Sequence, residues 1–339
     1  MTPREALEML FAGNDLSHEQ MTEVMTNIME GRTTPIQTAA LVTALRFKGE
    51  TVTELAAAVE VMRSLSVKVD TRGLEHVVDT CGTGGDGMHT FNISTTSAFV
   101  AAAAGAKVAK HGGRAVSSST GSADVLESLG IGMESTTPAR AEQALAHWGL
   151  GFMFAPHHHL AMKYSVPVRR ELGVRTLFNL LGPLTNPASA PHQLLGVFSA
   201  HFTMRLAQVL QRLGTRHAMV VHGSDGLDEI TLSGATHVAE LKNGQIHEYL
   251  FHPRDVGIDA APLNRLLVKD ANESRALLLE VLDNRVGAAR DIVLLNAGAA
   301  LYVAGVTASH VEGVEKARSA LASGAARQRL EDLVKWSRM

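Results

Sequence analysis

Asp79 to Thr95 reads DTCGTGGDGMHTFNIST: four glycines around a carboxylate, then an amide and two hydroxyls. Gly82, Gly84 and Gly87 fit the G-x-G-x-x-G spacing of a dinucleotide loop. Two features oppose that assignment. A dinucleotide loop enters its helix directly, whereas MHTFN intervenes here. The acid expected to hold the ribose is replaced by Ala106-Lys107 and the basic run KHGGR. Asp86 would repel a bare diphosphate. It fits if the phosphates arrive with a divalent cation, or if its carboxylate holds a backbone turn. Asn92, Ser94 and Thr95 then supply polar groups at a helix start, where free amides bind phosphate. The plainer alternative is a glycine turn followed by an ordinary N-cap.

Three further loops carry chemistry. KHGGRAVSSSTGSAD offers Lys110, His111 and Arg114, then a hydroxyl-rich turn, then a helix beginning near Ser122. Basic side chains and free amides around such a loop suit a polyphosphate, with a solvated serine-rich loop as the alternative. GSDGLDEI contains adjacent Asp228 and Glu229. Magnesium binds through one or two carboxylates plus substrate phosphates, although such a pair is often only a solvated turn. APHHHLAMKYSVPVRR has three consecutive histidines and two arginines. Consecutive residues do not share a helix face, which argues against zinc. Arg169 or Arg170 can grip a carboxylate bidentately, or form a surface ion pair. Cys81 has no basic residue within four positions to activate it and reads as a spectator thiol. No serine elbow or Walker loop appears, so nothing nominates a covalent nucleophile.

The elements between these loops decide whether they converge. The first 65 residues read as helices, with capping boxes at Thr2/Glu5, Ser17/Gln20, Thr34/Gln37 and Thr51/Glu54. HVVDT, AKVAKHGGR, LGFMFAP and HAMVVHGSDG each read as a strand running into a loop, with helices at about 95–105, 122–130, 137–148 and 202–213. Asn243-Gly244 between two apolar runs predicts a hairpin. Residues from about 272 onward read as helices. Strands alternating with helices predict an α/β sheet, whose ligands bind beyond the carboxyl ends of its strands. RRELGVRTLFNLLGPLTNPAS reads as a crossing between two domains. The expected division is a small helical domain at 1–72, with about 164–188 returning to it. A large α/β domain takes 73–163 and 189–339.

The bulk numbers are compatible. Of 339 residues, 45% are hydrophobic and 19% charged, enough for a sizeable core. The net charge of −3 gives no footprint for nucleic acid. One cysteine excludes an internal disulfide framework and fits a reducing cytoplasm. No signal peptide or membrane span is expected.

GTGGDGMHTFNIST, KHGGRAVSSSTGSADVLE, RRELGVRTLFNLLGPLTNP and DGLDEI occur in this order. In that combination, over nearly its whole length, the chain resembles the anthranilate phosphoribosyltransferases. These belong to the nucleoside phosphorylase-like phosphoribosyltransferase family. The resemblance implies a homodimer of helical plus α/β domains, joined through the helical domain. It implies 5-phosphoribosyl 1-diphosphate and anthranilate as substrates, with two magnesium ions. By position it places the donor on Gly82, Gly85, Asp86, Thr90, Asn92, Ser94, Thr95, Lys110, Gly112, Gly113, Arg114, Ser117, Ser118 and Ser122. Ser94, Asp228 and Glu229 would serve the metal. Gly82, His111, Gly113, His159 and Arg169 would meet anthranilate, while Arg170 should point elsewhere. Two residues depart from the family pattern: Gly113 stands where asparagine is usual, and Leu160 where proline is usual. The alternatives are a pyrimidine nucleoside phosphorylase, a non-catalytic nucleic-acid-binding relative and, disfavoured by the missing ribose acid, a nicotinamide oxidoreductase.

Overall fold

The computed structural model describes residues 1–115 and 120–339. Four helices open the chain: α1 (Pro3–Phe11), α2 (His18–Met29), α3 (Pro35–Lys48) and α4 (Val52–Ser64). All four expected capping boxes form, each hydroxyl accepting from the N3 amide while the N3 side chain returns to the cap. Their apolar faces meet at Leu10, Met21, Met25, Leu41, Leu45, Leu55 and Val59, all buried. Two later helices join them: α9 (Val166–Leu172) packs on α3, and α10 (Leu177–Leu181) packs on α4.

The sheet has seven strands: β1 (Val77–Gly82), β2 (Lys107–Gly112), β3 (Leu150–Phe154), β4 (His192–Gly196), β5 (His217–Gly223), β6 (Thr236–Lys242) and β7 (Gln245–Phe251). Their order is β3-β2-β1-β4-β5-β6-β7, and β3 through β5 run parallel. The antiparallel hairpin β6–β7 turns at Asn243 and Gly244, both with positive φ (53° and 74°), as a two-residue turn of this kind requires. The parallel strands are buried on both faces, and alternate residues join different cores. Leu194 and Met219 pack with α5 (Ile93–Ala103), α12 (Ala271–Leu282), α13 (Ala288–Val303), α14 (His310–Ala322) and α15 (Ala325–Ser337). Leu195 and Val220 pack with α11 (Thr203–Arg212) and the N-terminal helices. The connections to and from β3 carry α6 (Ser122–Ser128), α7 (Pro138–Trp148) and α8 (Ala155–His158).

Strand β4 carries no clear signal in the sequence. It is five residues long and follows the proline-rich stretch read as a crossing, yet it lies at the centre of the sheet between β1 and β5.

Candidate active site

Chain order reverses at β1: β2 and β3 lie on one side, β4 and β5 on the other. A crevice beyond the carboxyl ends of the strands is the expected ligand position at such a reversal. A cleft of about 1170 Å³ opens there, lined by the loops that follow β1, β2, β3 and β5 and by α9 and α10.

Two glycines let the loops meet. Gly82 of β1 pairs with Gly196 of β4, and Asp228 lies against both. A β-carbon at Gly82 would stand 2.4 Å from Asp228 Oδ2, and one at Gly196 only 1.6 Å from the Asp228 carbonyl oxygen. Asp228 Oδ2 accepts from the Gly84 amide at 2.7 Å, and Glu229 Oε1 accepts from the Ser94 amide at 3.1 Å. The post-β5 carboxylates are thus bonded to the glycine loop and to the first turn of α5. Asp86 holds a turn, accepting from the Met88 amide at 3.1 Å, and its other oxygen faces the Asp228 amide at 3.4 Å. Lys110, 2% exposed, donates to Ser94 Oγ at 3.2 Å and to the Thr80 carbonyl.

Asp86 and Glu229 therefore crowd Asp228, while the Lys110 ammonium feels Asp79, Glu229 and Asp228. Burial, together with Asp86 and Glu229, pushes the Asp228 carboxyl well above its ordinary range. Burial raises Glu229 to about 7 against the pull of Lys110. Burial likewise lowers the Lys110 ammonium. A divalent cation would relieve this excess of negative charge.

Asn92 occupies the N-cap position of α5, but its side chain does not cap. It ties three segments together: Nδ2 donates to the Thr120 carbonyl at 3.2 Å and Oδ1 accepts from Ser274 Oγ of α12 at 2.7 Å. Gly85, Thr90, Gly112, Gly113 and Ser122 also line the cleft. Asp124 Oδ2 closes the ends of the post-β2 loop, accepting from the amides of Ala115 and Gly121. Ser117 and Ser118 lie outside the described residues.

Three residues sit otherwise than a loop-by-loop reading suggests. Thr95 is buried with an unpartnered hydroxyl, and it lines a separate cavity of about 30 Å³ with Phe99, Phe152 and Trp336. Consecutive residues of a helix do not share a face, so the Ser94 side chain reaches the cleft and that of Thr95 the core behind it. Arg114 lines the cleft, but its guanidinium is engaged by Glu127 and Asp124 of α6. Arg170 does not point away from the site; it lines the cleft with Arg169, because α9 lies along the wall.

The acceptor-side residues also converge. The His111 and His159 rings meet edge-on at 5.0 Å, and Nε2 of each is buried without a hydrogen-bond partner. Burial keeps both neutral, His111 well below the ordinary histidine range and His159 at about 4. The Arg169 guanidinium lies 5.4 Å from the Phe178 ring centroid and has no ion-pair partner among the described residues. Burial lowers its pKa. In the same cleft, a β-carbon at Gly113 would meet nothing within 4 Å.

Sequence reasoning missed Phe178, Asn179, Thr185 and Lys163, which line the same cleft. It also missed Arg175, which donates to the Gly85 carbonyl and lies 4.2 Å from the Phe198 ring centroid. All but Lys163 and Phe198 belong to the segment at 169–189, read as a crossing between domains, whose composition signals turns and not contacts. Cys81 is buried, its thiol pKa raised well above the ordinary value mainly by burial, as a spectator should be.

Residues 74–327 match the family described as glycosyl transferase family, a/b domain, and residues 4–66 match the glycosyl transferase family, helical bundle domain. An anthranilate phosphoribosyltransferase of Nitrosomonas europaea is 58% identical over 337 residues, covering 99% of this chain and 98% of its own. The crystal structure of anthranilate phosphoribosyltransferase from Thermus thermophilus is similar with a TM-score of 0.93 and 44% identity, covering 98% of this chain and 99% of its own. The Saccharomyces cerevisiae enzyme in complex with PRPP (phosphoribosyl diphosphate) and Mg is similar with a TM-score of 0.88 and 26% identity, covering 98% of each chain.

Proposed function

We propose, from the premise that the chain belongs to the anthranilate phosphoribosyltransferase family, that the cleft at the sheet's reversal point holds both substrates of that reaction with two magnesium ions. The protein is a glycosyltransferase acting in tryptophan biosynthesis. It transfers the 5-phosphoribosyl group of 5-phosphoribosyl 1-diphosphate to the amine of anthranilate, giving N-(5-phosphoribosyl)anthranilate and diphosphate. The nucleoside phosphorylase alternative is not favoured by these relatives.

The single observation that carries the site assignment is the convergence of Asp228 and Glu229 on the Gly84 and Ser94 amides. Carboxylates so placed would repel a diphosphate at the same loop unless a cation joins the two. Among the described residues no group of three or more His, Cys, Asp or Glu side chains is preassembled to hold an ion. Asp228, Glu229 and the Ser94 hydroxyl nevertheless fit magnesium, which uses few protein carboxylates and completes its shell with water and substrate phosphates. Magnesium bound there supplies countercharge for the departing diphosphate. The Saccharomyces cerevisiae complex with PRPP and Mg supports this reading.

The chain's own groups do the rest by position and charge. Lys110 adds a fixed ammonium beside Ser94, where charge builds on the leaving group. Arg169 takes the anthranilate carboxylate. His111 and His159, held neutral by burial, line the acceptor side without adding charge there. An aromatic amine is already neutral near pH 7, so no strong base is needed. Closure of the helical domain over the cleft would exclude water, which would otherwise hydrolyse the activated sugar.

Phe11, Ile36 and Phe47, on α1 and α3, are 70%, 82% and 94% exposed. We assign these exposed apolar side chains to a homodimer joined through the helical domain; sedimentation of a monomer at micromolar concentration would refute it. No helix of the described residues is long and apolar enough to cross a membrane. We place the enzyme in the cytoplasm, in keeping with its one buried thiol. The function is tested by the loss of anthranilate fluorescence on adding phosphoribosyl diphosphate, with and without a chelator. No loss, or loss indifferent to the chelator, would overturn the assignment.

A further inference from the structure

Asn296 lies in the middle of α13, flanked by LL and AGAAL, and is fully buried. A buried amide in an apolar helix is costly unless bonded, and asparagine is a weak helix former. Its reason lies across the gap in the post-β5 loop. Asn296 Oδ1 accepts from the Ile230 amide at 3.0 Å, and Nδ2 donates to the Ile230 carbonyl at 2.9 Å. The second Nδ2 hydrogen goes to the Ile292 carbonyl of its own helix at 3.0 Å. One side chain thus grips both main-chain groups of the residue that follows Glu229, as a neighbouring strand would.

We infer that Asn296 is a positioning residue: it anchors Ile230 to α13 and so sets Asp228 and Glu229 for the cation-bearing donor. The inference rests on the magnesium reading above. Asp86 and Glu229 crowd Asp228, so bringing these carboxylates together needs an anchor outside the cluster. Asp225, which accepts from Thr231 Oγ1 and Ser233 Oγ, closes the loop on itself without tying it to a helix. The Asn296 clamp is dry and independent of any ion, so it holds the carboxylates in place before the donor arrives.

The test measures binding as well as turnover. For Asn296→Ala, the magnesium concentration giving half-maximal rate at saturating phosphoribosyl diphosphate should rise about five- to thirtyfold, from two lost hydrogen bonds. The KM for anthranilate should stay within about twofold, since the acceptor residues are on other elements. The rise in melting midpoint caused by magnesium with phosphoribosyl diphosphate should shrink in parallel. Leu294→Ala, equally buried on α13 but two residues away and so on a different side, controls for general destabilisation. It should leave the magnesium requirement unchanged. Asp228→Asn separates the two readings. If it leaves the magnesium requirement unmoved, the magnesium assignment fails; if it moves the requirement and Asn296→Ala does not, the clamp fails. Should Asn296→Ala not fold, hydrogen exchange of the unmutated protein decides. The Ile230 amide should be protected to the level of the sheet core without magnesium, and rapid exchange there would overturn the inference.

Discussion

Replacing Arg169 by alanine should damage use of the acceptor and spare use of the donor. The guanidinium is half-buried, rests on the Phe178 ring and has no ion-pair partner among the described residues. Its charge is thus unmatched until an anion enters. Removing one partner of a desolvated charge pair costs about 2–5 kcal/mol. Arg169 keeps partial contact with water, which screens the pair, so the lower part of the range applies: about 2–3 kcal/mol, or roughly 30- to 150-fold. Lost stacking on Phe178 costs about 0.5–1 kcal/mol more in folding stability and leaves the donor site untouched. Steady-state rates with anthranilate varied at saturating phosphoribosyl diphosphate, then the reverse, separate the two effects. The KM for phosphoribosyl diphosphate should move by no more than about twofold. Arg170→Ala is the comparator: it lines the same cleft but is exposed, so its effect should stay under about fivefold. An acceptor-specific defect in Arg170→Ala and none in Arg169→Ala would refute the reasoning.

Gly113→Asn should lower the KM for anthranilate by up to about tenfold, one neutral hydrogen bond's worth, because the added side chain meets open space; an unchanged or raised KM, or turnover of another acceptor in place of anthranilate, would count against the acceptor assignment. Asp228→Asn with Glu229→Gln should depress activity strongly at low magnesium, and full activity across a magnesium titration would sink the metal assignment. Glu229 is raised to about 7, so it contributes stability below about pH 4.5 that is lost as pH rises through 7. His159, lowered to about 4 by burial, acts oppositely, losing its contribution as pH falls from about 6.5 toward 4. The difference in melting midpoint between the unmutated protein and Glu229→Gln, without magnesium, should therefore become less favourable to the unmutated protein from pH 5.5 to 8. A flat difference would show that Glu229 ionises normally.

What the sequence made legible was local. Capping boxes and the Asn243-Gly244 turn are decided within four residues, and they formed as expected. The four loaded loops were also visible, since glycines, hydroxyls and charges announce themselves, and the reversal-point rule correctly places them together. What the sequence left out depends on distant partners. Arg114 reads as a phosphate ligand until Glu127 and Asp124 are seen beside it. Asn92 reads as a cap until Ser274, remote in the chain, takes its side-chain oxygen. Thr95 differs from Ser94 only in the side of the helix it occupies, which a loop-by-loop reading does not resolve. Asn296 was the clearest missed signal: a single amide within an apolar helix asks for a partner, although the sequence does not say where.

The pairing of β1 with β4 has a consequence for how the molecule comes into being. Asp79 and Gln193, facing each other across that seam, are 114 residues apart in the chain. Between them the chain builds β2 and β3 and then travels through α9 and α10 among the N-terminal helices. Pairings at such separation are slow, because the entropy of closing the loop is spent before the contacts reward it. The Gly82–Gly196 seat for Asp228 exists only after this closure. Catalytic competence should therefore be among the last properties to appear on refolding, after helical signal and after the hairpin. Recovered turnover would time the closing of the central seam, which spectroscopic probes of the two halves would not register.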